Sequence, residues 1–368
     1  MKKIKGGITA PKGFKASGLS CGLKKSGKPD LALIYSEIPA ACAAVFTTNQ
    51  VKAAPVMVSM SQAKSGICQA IIANAGNANC WTGGRGMRDA WTMVNETAKL
   101  LLIDPKKVLV TSTGVIAQYL DIKKITKALP KLVEALSKEG AEAAATSIMT
   151  TDTRKKEIAV KVGKITIAGI AKGAGMIAPG MATMHCFITT DAKIESELLQ
   201  KYLKVAVDKS FNMISVDNCP STNDCVFVLA NGLSQTNAGK DFVTALEYVC
   251  QYLAMAIASD GEGATKLMTV KVSGAKTSED AKLAAKSIIN SFLLKAAVYG
   301  KDKNVGRILQ AIGATKAMVN WDKFKFNWKM GTKEDVITID LGVGREKTIG
   351  WGCDLTEGYV EINAEYHT

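Results

Sequence analysis

The stretch most able to do chemistry in this 368-residue chain is GIAKGAGMIAPGMATMHCFITTD, from Gly169 to Asp191. It reads as a strand, a glycine-rich turn and a second strand, with Ala182 and the hydroxyl of Thr183 at the junction. A threonine in a strand is ordinarily a β-former. Glycines beside it let two backbones approach closely and take angles that other residues resist. If the Ala182–Thr183 peptide is strained there, the Thr183 hydroxyl can attack the Ala182 carbonyl, and water can cleave the ester that results. The product is a threonine with a free α-amine, whose unperturbed pKa of about 7.7–8.0 suits it to take the proton of its own hydroxyl. The chain has only His185 and His367, which leaves little choice for a base of the Ser-His-Asp kind. Acyl transfer also needs donors for the developing oxyanion. TSTG at 111–114 ends a predicted strand with a hydroxyl and an unhindered glycine amide side by side, although taken alone it reads as a turn.

Other chemistries fit less well. GLKKSGK at 22–28 has the glycines and lysine of a phosphate loop, but Pro29 stands where a Ser or Thr should bind magnesium and continue a helix. GAGMIA at 173–178 matches a dinucleotide fingerprint with Glu195 at a suitable distance, yet Pro179-Gly180 interrupts the helix that the fingerprint requires. Nine cysteines stand singly with no CxxC pair, which argues against a zinc or iron–sulfur site and for buried thiols in a reducing compartment. The net charge of +14 raises a basic nucleic-acid-binding reading. The lysines fall in short separate groups with few aromatics between them, which suits a solvated surface open to anionic small molecules. No apolar run approaches the roughly 20 residues of a membrane span. The basic N-terminus lacks an apolar segment after it, so a soluble cytoplasmic protein is expected.

Positioning such residues requires a mixed scaffold. LALIYSE, AAVFTTN, AAPVMVSM and QAIIANAG read as strands, GMRDAWTMVNETAKLLL as a helix, and VLVTSTGVIA as a strand. ITKALPKLVEALSK and AEAAATSIM are helical, strand pairs dominate 157–191, and ELLQKYLKVAVDKSF, DFVTALEYVCQYLAMAIASD and DAKLAAKSIINSFLLKAAVY are helical again. No repeat or clear linker divides the chain, and the alternation predicts an α/β layered sandwich.

In their order along the chain, GGITAPKGFKASG, VFTTNQVKAAPV, ANAGNANCWTG, TSTGVI, IMTTDT, AKGAGMIAPGMATM, TTDA, STND, DGEGATK, NVGRILQAIG and WGCDLTEGYVEINAEY carry a resemblance over essentially the whole length. The sequence resembles the glutamate N-acetyltransferase (ornithine acetyltransferase) family of arginine biosynthesis. The resemblance implies an N-terminal-nucleophile-like fold shared with self-processing aminopeptidases. It implies self-cleavage at Ala182–Thr183, giving an α chain of residues 1–182 and a β chain of 183–368, with Thr183 as nucleophile. It also implies Thr113 and Gly114 as the oxyanion hole, and substrate contacts at Thr150, Lys172, Thr183, Glu262, Asn363 and Thr368. Lys172 suits a carboxylate and Glu262 an amino group.

The activity so implied is acetyl transfer from N2-acetylornithine to glutamate with no metal or bound cofactor, in an α2β2 assembly. Some members of the family also use acetyl-CoA as a co-substrate. A self-processed aminopeptidase is the nearest rival, and IMTTDT and DGEGATK speak against it. Departures from the family pattern are IAPG in place of IHPN, His185 two residues after Thr183 in place of an apolar residue, and Val305 in place of tryptophan. None removes a group assigned to the chemistry.

Overall fold

The computed structural model describes residues 1–178 and 184–364. Ala182, Thr183 and Thr368 lie outside the described residues.

Two sheets organise the chain, as expected for a layered α/β sandwich. Eight strands of the larger sheet run in the order Lys2–Ile4, Lys156–Val162, Ile165–Lys172, His185–Thr190, Cys225–Ala230, Leu31–Phe46, Ile67–Asn77 and Val108–Val115, and Phe14–Leu19 pairs with Leu31–Phe46 as a ninth. Its strands are apolar on both faces and alternate between two cores. In Cys225–Ala230, Phe227 and Leu229 pack with Phe187, Ile34 and Phe14, whereas Val226 and Val228 face the helices Ser196–Asp208 and Lys240–Ala258. Farther along the sheet, Leu31, Leu33, Ile72 and Val110 pack under the helices Ala54–Ala63, Gly83–Leu101 and Ile122–Glu134. Period-two alternation with both faces buried is the signature of a sheet covered by other layers.

The smaller sheet runs Lys325–Lys329, Glu334–Asp340, Leu267–Ala275, Glu346–Cys353 and Ile214–Ser215. Its core is shared with the helices Ser278–Ile289, Phe292–Tyr299 and Val305–Gly313.

Three elements differ from the expectation. LALIYSE and the start of AAVFTTN are the two ends of one 16-residue strand, joined across a register shift between Tyr35 and Ala40. AAPVMVSM is helical: the helix Ala54–Ala63 carries Pro55 in its first turn, where a missing N–H costs nothing. Pro55, Val58, Ser59 and Gln62 of this helix are buried at helical spacing. DAKLAAKSIINSFLLKAAVY is two helices, because Ser291 accepts the Leu294 N–H at 3.2 Å and caps a new start. The phosphate and dinucleotide look-alikes at 22–28 and 173–178 lie in turns, bends and irregular chain, with no helical residue within either.

Candidate active site

A cavity of about 280 Å³ opens at one end of the larger sheet, lined by Thr113, Gly114, Thr150, Lys172, Gly175, Asn223, Glu262 and Asn363 among others. Six positions selected from the sequence, Thr113, Gly114, Thr150, Lys172, Glu262 and Asn363, therefore meet here from distant parts of the chain.

Thr113 and Gly114 stand near the end of Val108–Val115, whose pairing with Ile67–Asn77 becomes irregular at Gly76–Asn77. Gly114 has φ +133°, and a Cβ there would stand 2.3 Å from the Gly76 carbonyl carbon, so only glycine fits. A polar lattice supports the irregular end. Ser112 Oγ donates to Asn74 Oδ1 at 2.6 Å, and Asn223 Nδ2 donates to the carbonyls of Ala78 and Ser112, both at 2.7 Å. These bonds satisfy carbonyls that the broken ladder cannot.

Lys172 ends the Ile165–Lys172 strand with its side chain buried and Nζ 3.2 Å from Thr113 Oγ1. Burial pushes the Lys172 ammonium below its ordinary pKa, with Asp152 opposing the shift. Asp152 is itself buried and accepts from Lys156 Nζ at 2.5 Å, the Gly173 amide at 2.7 Å and the Thr150 amide at 2.9 Å. Burial alone would raise its carboxyl, but Lys156 and Lys172 bring it down to about 2. Lys156 also reaches Asp260 at 2.6 Å, and Asp260 takes the Thr153 hydroxyl. One buried ion cluster thus fixes the loop that presents Thr150 and the one that leads to Glu262.

Glu262 lies over Gly175, where any Cβ would stand 2.2 Å from its carboxyl group. Its backbone N–H bonds Ala174 O at 2.8 Å, and its Oε2 accepts from Asn363 Nδ2 at 2.9 Å. Asn363 belongs to the helix Glu357–Ala364, which brings the C-terminal region to the cavity.

Two acids that carried no role in the sequence reading flank the segment around residue 183. Asp217 accepts the amides of Met176 at 2.6 Å and Ile177 at 2.8 Å, pinning the glycine-rich turn with Met176 at φ +55°. Asp224 is fully buried and accepts the Met184 amide at 2.7 Å, while its Oδ2 has no partner among the described residues. Burial pushes its carboxyl well above the ordinary range, against the Met184 amide and Lys172. STND was visible as a motif, but nothing local signals that Asn223 and Asp224 are buried. His185 is buried: its ring lies 2.9 Å from the Thr111 hydroxyl and 3.2 Å from Asn223 O, and burial lowers its pKa to about 3.

Among the described residues no group of three or more His, Cys, Asp or Glu is placed to hold a metal ion. No helix there is long and apolar enough to cross a membrane. All nine cysteines are free thiols.

The sequence matches the ArgJ family over residues 15–332 and 324–368. It is 46% identical to "Arginine biosynthesis bifunctional protein ArgJ" of Caldanaerobacter subterraneus subsp. tengcongensis, covering 100% of both chains. It is 48% identical to "Glutamate N-acetyltransferase" of Methanocaldococcus jannaschii, again over 100% of both. A solved chain of ornithine acetyltransferase from Mycobacterium tuberculosis, in complex with ornithine, is 36% identical with a TM-score of 0.47, spanning 50% of this chain and 98% of its own. On full-length identity of this order the chain belongs to the ArgJ family and is an enzyme.

Proposed function

We propose that the protein transfers an acetyl group from N2-acetylornithine to glutamate in arginine biosynthesis, through an acetyl ester on Thr183. In this reading the chain first cuts itself between Ala182 and Thr183 into an α chain, 1–182, and a β chain, 183–368, which stay together in the cytoplasm as α2β2. The observation that carries the reading is the convergence of Thr113, Gly114, Thr150, Lys172, Glu262 and Asn363 on one cavity.

The Thr183 hydroxyl gives its proton to its own α-amine and attacks the acetyl carbonyl of the donor. Thr113 and the Gly114 amide take the oxyanion. Lys172 supports this role, because it donates to Thr113 Oγ1 and leaves the hydroxyl proton for the oxyanion. The tetrahedral intermediate collapses as the α-amine returns the proton to the departing ornithine nitrogen. Glutamate then attacks the ester with its neutral amine, the same groups hold the second oxyanion, and N-acetylglutamate leaves with the Thr183 hydroxyl restored. Glu262 receives the side-chain ammonium of ornithine, and Lys172 a substrate carboxylate. Thr150, Asn363 and Thr368 complete the hydrogen bonding to the amino acid. No metal or bound cofactor takes part. The word "bifunctional" in the name of a full-length relative favours a second reading in which acetyl-CoA also serves as donor.

Intact mass and denaturing electrophoresis test the first step. Two fragments of 182 and 186 residues are expected, the second beginning TMHCF, and Thr183→Ala should remain whole and inactive. An uncut chain with full transferase activity would overturn the mechanism.

A further inference from the structure

A second cavity, of about 450 Å³, lies on the other side of Thr150, and Thr150 lines both. The GLKKSGK loop forms its wall and contributes Lys24, Lys25, Ser26 and Lys28. This loop is built rather than merely exposed. Buried Asp30 accepts the amides of Cys21 at 2.6 Å, Leu23 at 2.7 Å and Lys24 at 2.9 Å, and Lys24 Nζ reaches Pro29 O at 2.6 Å. The stem of Lys24 lies against Gly76, where a Cβ would stand 3.3 Å from Lys24 Cγ, and Gly76 is the register partner of Gly114. Lys24 is thus one strand away from the proposed oxyanion site. Burial lowers its ammonium to about 8, with Asp30 and Asp152 opposing. Of the two carboxylates near these lysines, Asp152 itself lines the cavity, and both are engaged: Asp30 by three amides, and Asp152 by Lys156 and two amides, with Lys172 close by.

The substrates of the proposed reaction differ in charge. The donor brings one carboxylate and a side-chain ammonium, which Lys172 and Glu262 can match. The acceptor brings two carboxylates, and its side-chain carboxylate cannot sit against Glu262 without like-charge repulsion. We propose that the lysine-lined cavity beyond Thr150 is a carboxylate subsite that receives the side chain of the dicarboxylic acceptor, so that donor and acceptor share the acyl site but extend their side chains in different directions. This inference rests on the acetyl-transfer reading.

The test compares Lys25→Gln/Lys28→Gln, at two exposed positions, and Lys24→Gln with the wild-type enzyme. Exchange of labelled ornithine into N2-acetylornithine, with glutamate absent, reads the donor half alone. It should stay within about twofold of wild type. The preference of kcat/KM for glutamate over its neutral isostere glutamine should fall by at least about tenfold in the variants, through KM. An unchanged preference, or an equal loss in exchange, would overturn the subsite. A rise confined to the KM of acetyl-CoA would assign the lysines to a phosphorylated donor and overturn it as well. Absence of ornithine exchange in the cut wild-type enzyme would overturn the acetyl-transfer reading, and this inference with it.

Discussion

At the site end of the larger sheet, Lys156 is buried between Asp152 at 2.5 Å and Asp260 at 2.6 Å. In the smaller sheet, Lys266 meets Asp335 at 3.2 Å, and the other oxygen of Asp335 takes Trp328 Nε1 at 2.9 Å. The chemistry and the burial are alike, but the surroundings are not. Asp335 lies within the strand Glu334–Asp340 and Lys266 immediately precedes Leu267–Ala275, and these two strands are already held in parallel register by ladder hydrogen bonds and an apolar core. Lys156, the first residue of its own strand, instead ties down two irregular segments, 148–155 and 259–265, that have no ladder and that carry Thr150 and Glu262 to the cavity. A buried ion pair gains little net stability after desolvation, and breaking one leaves a costly unpaired charge. Where regular structure is missing, the pair does something else: it selects one loop conformation.

Breaking each cluster tests this contrast. Lys156→Met and Asp335→Ala should each cost about 3–5 kcal/mol, read as a fall in denaturant midpoint. Only Lys156→Met should also lower turnover per folded molecule, because Thr150 and Glu262 lose their anchor. Equal effects of the two variants on turnover would dissolve the distinction.

Next in size is the oxyanion site. Thr113→Val keeps the shape and removes one donor, and in fully cut protein it should lower kcat by about 100-fold or more. Unchanged turnover would reduce TSTG to a structural strand end.

A smaller effect is expected at the chain end. Deleting 364–368 keeps Asn363 on Glu262 and should raise KM for both amino acids by about tenfold, equivalent to a lost hydrogen bond of about 1.4 kcal/mol. The fold and the cut should be unaffected. Normal Michaelis constants would remove the tail from the site.

A test of a different kind, read from pH rather than from activity, concerns His185. Its pKa is lowered to about 3 in the folded protein, so the unfolded chain binds more protons below its ordinary value. Stability from this group is complete above about 6.5 and falls as the pH drops towards 3, by up to about 1.4 kcal/mol per unit. Urea titrations across this window should show the slope, and His185→Asn should flatten it. An identical slope in the variant would assign the acid sensitivity to other groups.

How much of this was legible in the sequence can be seen residue by residue. The strand bearing Thr113 was readable because VLV precedes TSTG and apolar runs of this kind form buried strands. The helix Ala54–Ala63 was misread, because a short run such as APVMV satisfies both periods until its partners choose one. Lys172 and Glu262 entered only through the family resemblance, since an isolated lysine or glutamate ordinarily reads as surface charge. Asp217 and Asp224 could not be found locally at all. Their partners, Met176, Ile177 and Met184, lie about forty residues away, and burial of an acid becomes tolerable only when those amides arrive.

The sequence alone determined the layered α/β class, the order of most elements and the family, because periodicity and ordered motif blocks are local or linear properties of the chain. Tertiary structure alone decided that Gly114 must be glycine, since that depends on the backbone of Gly76 lying 2.3 Å from where a Cβ would go. It also decided that Lys156, three residues past the TTDT turn, is a buried anchor of the site, and that a loop resembling a phosphate motif faces a cavity beside Thr150. Each of these depends on which distant segment fills the adjacent space, and no single stretch of chain carries that information.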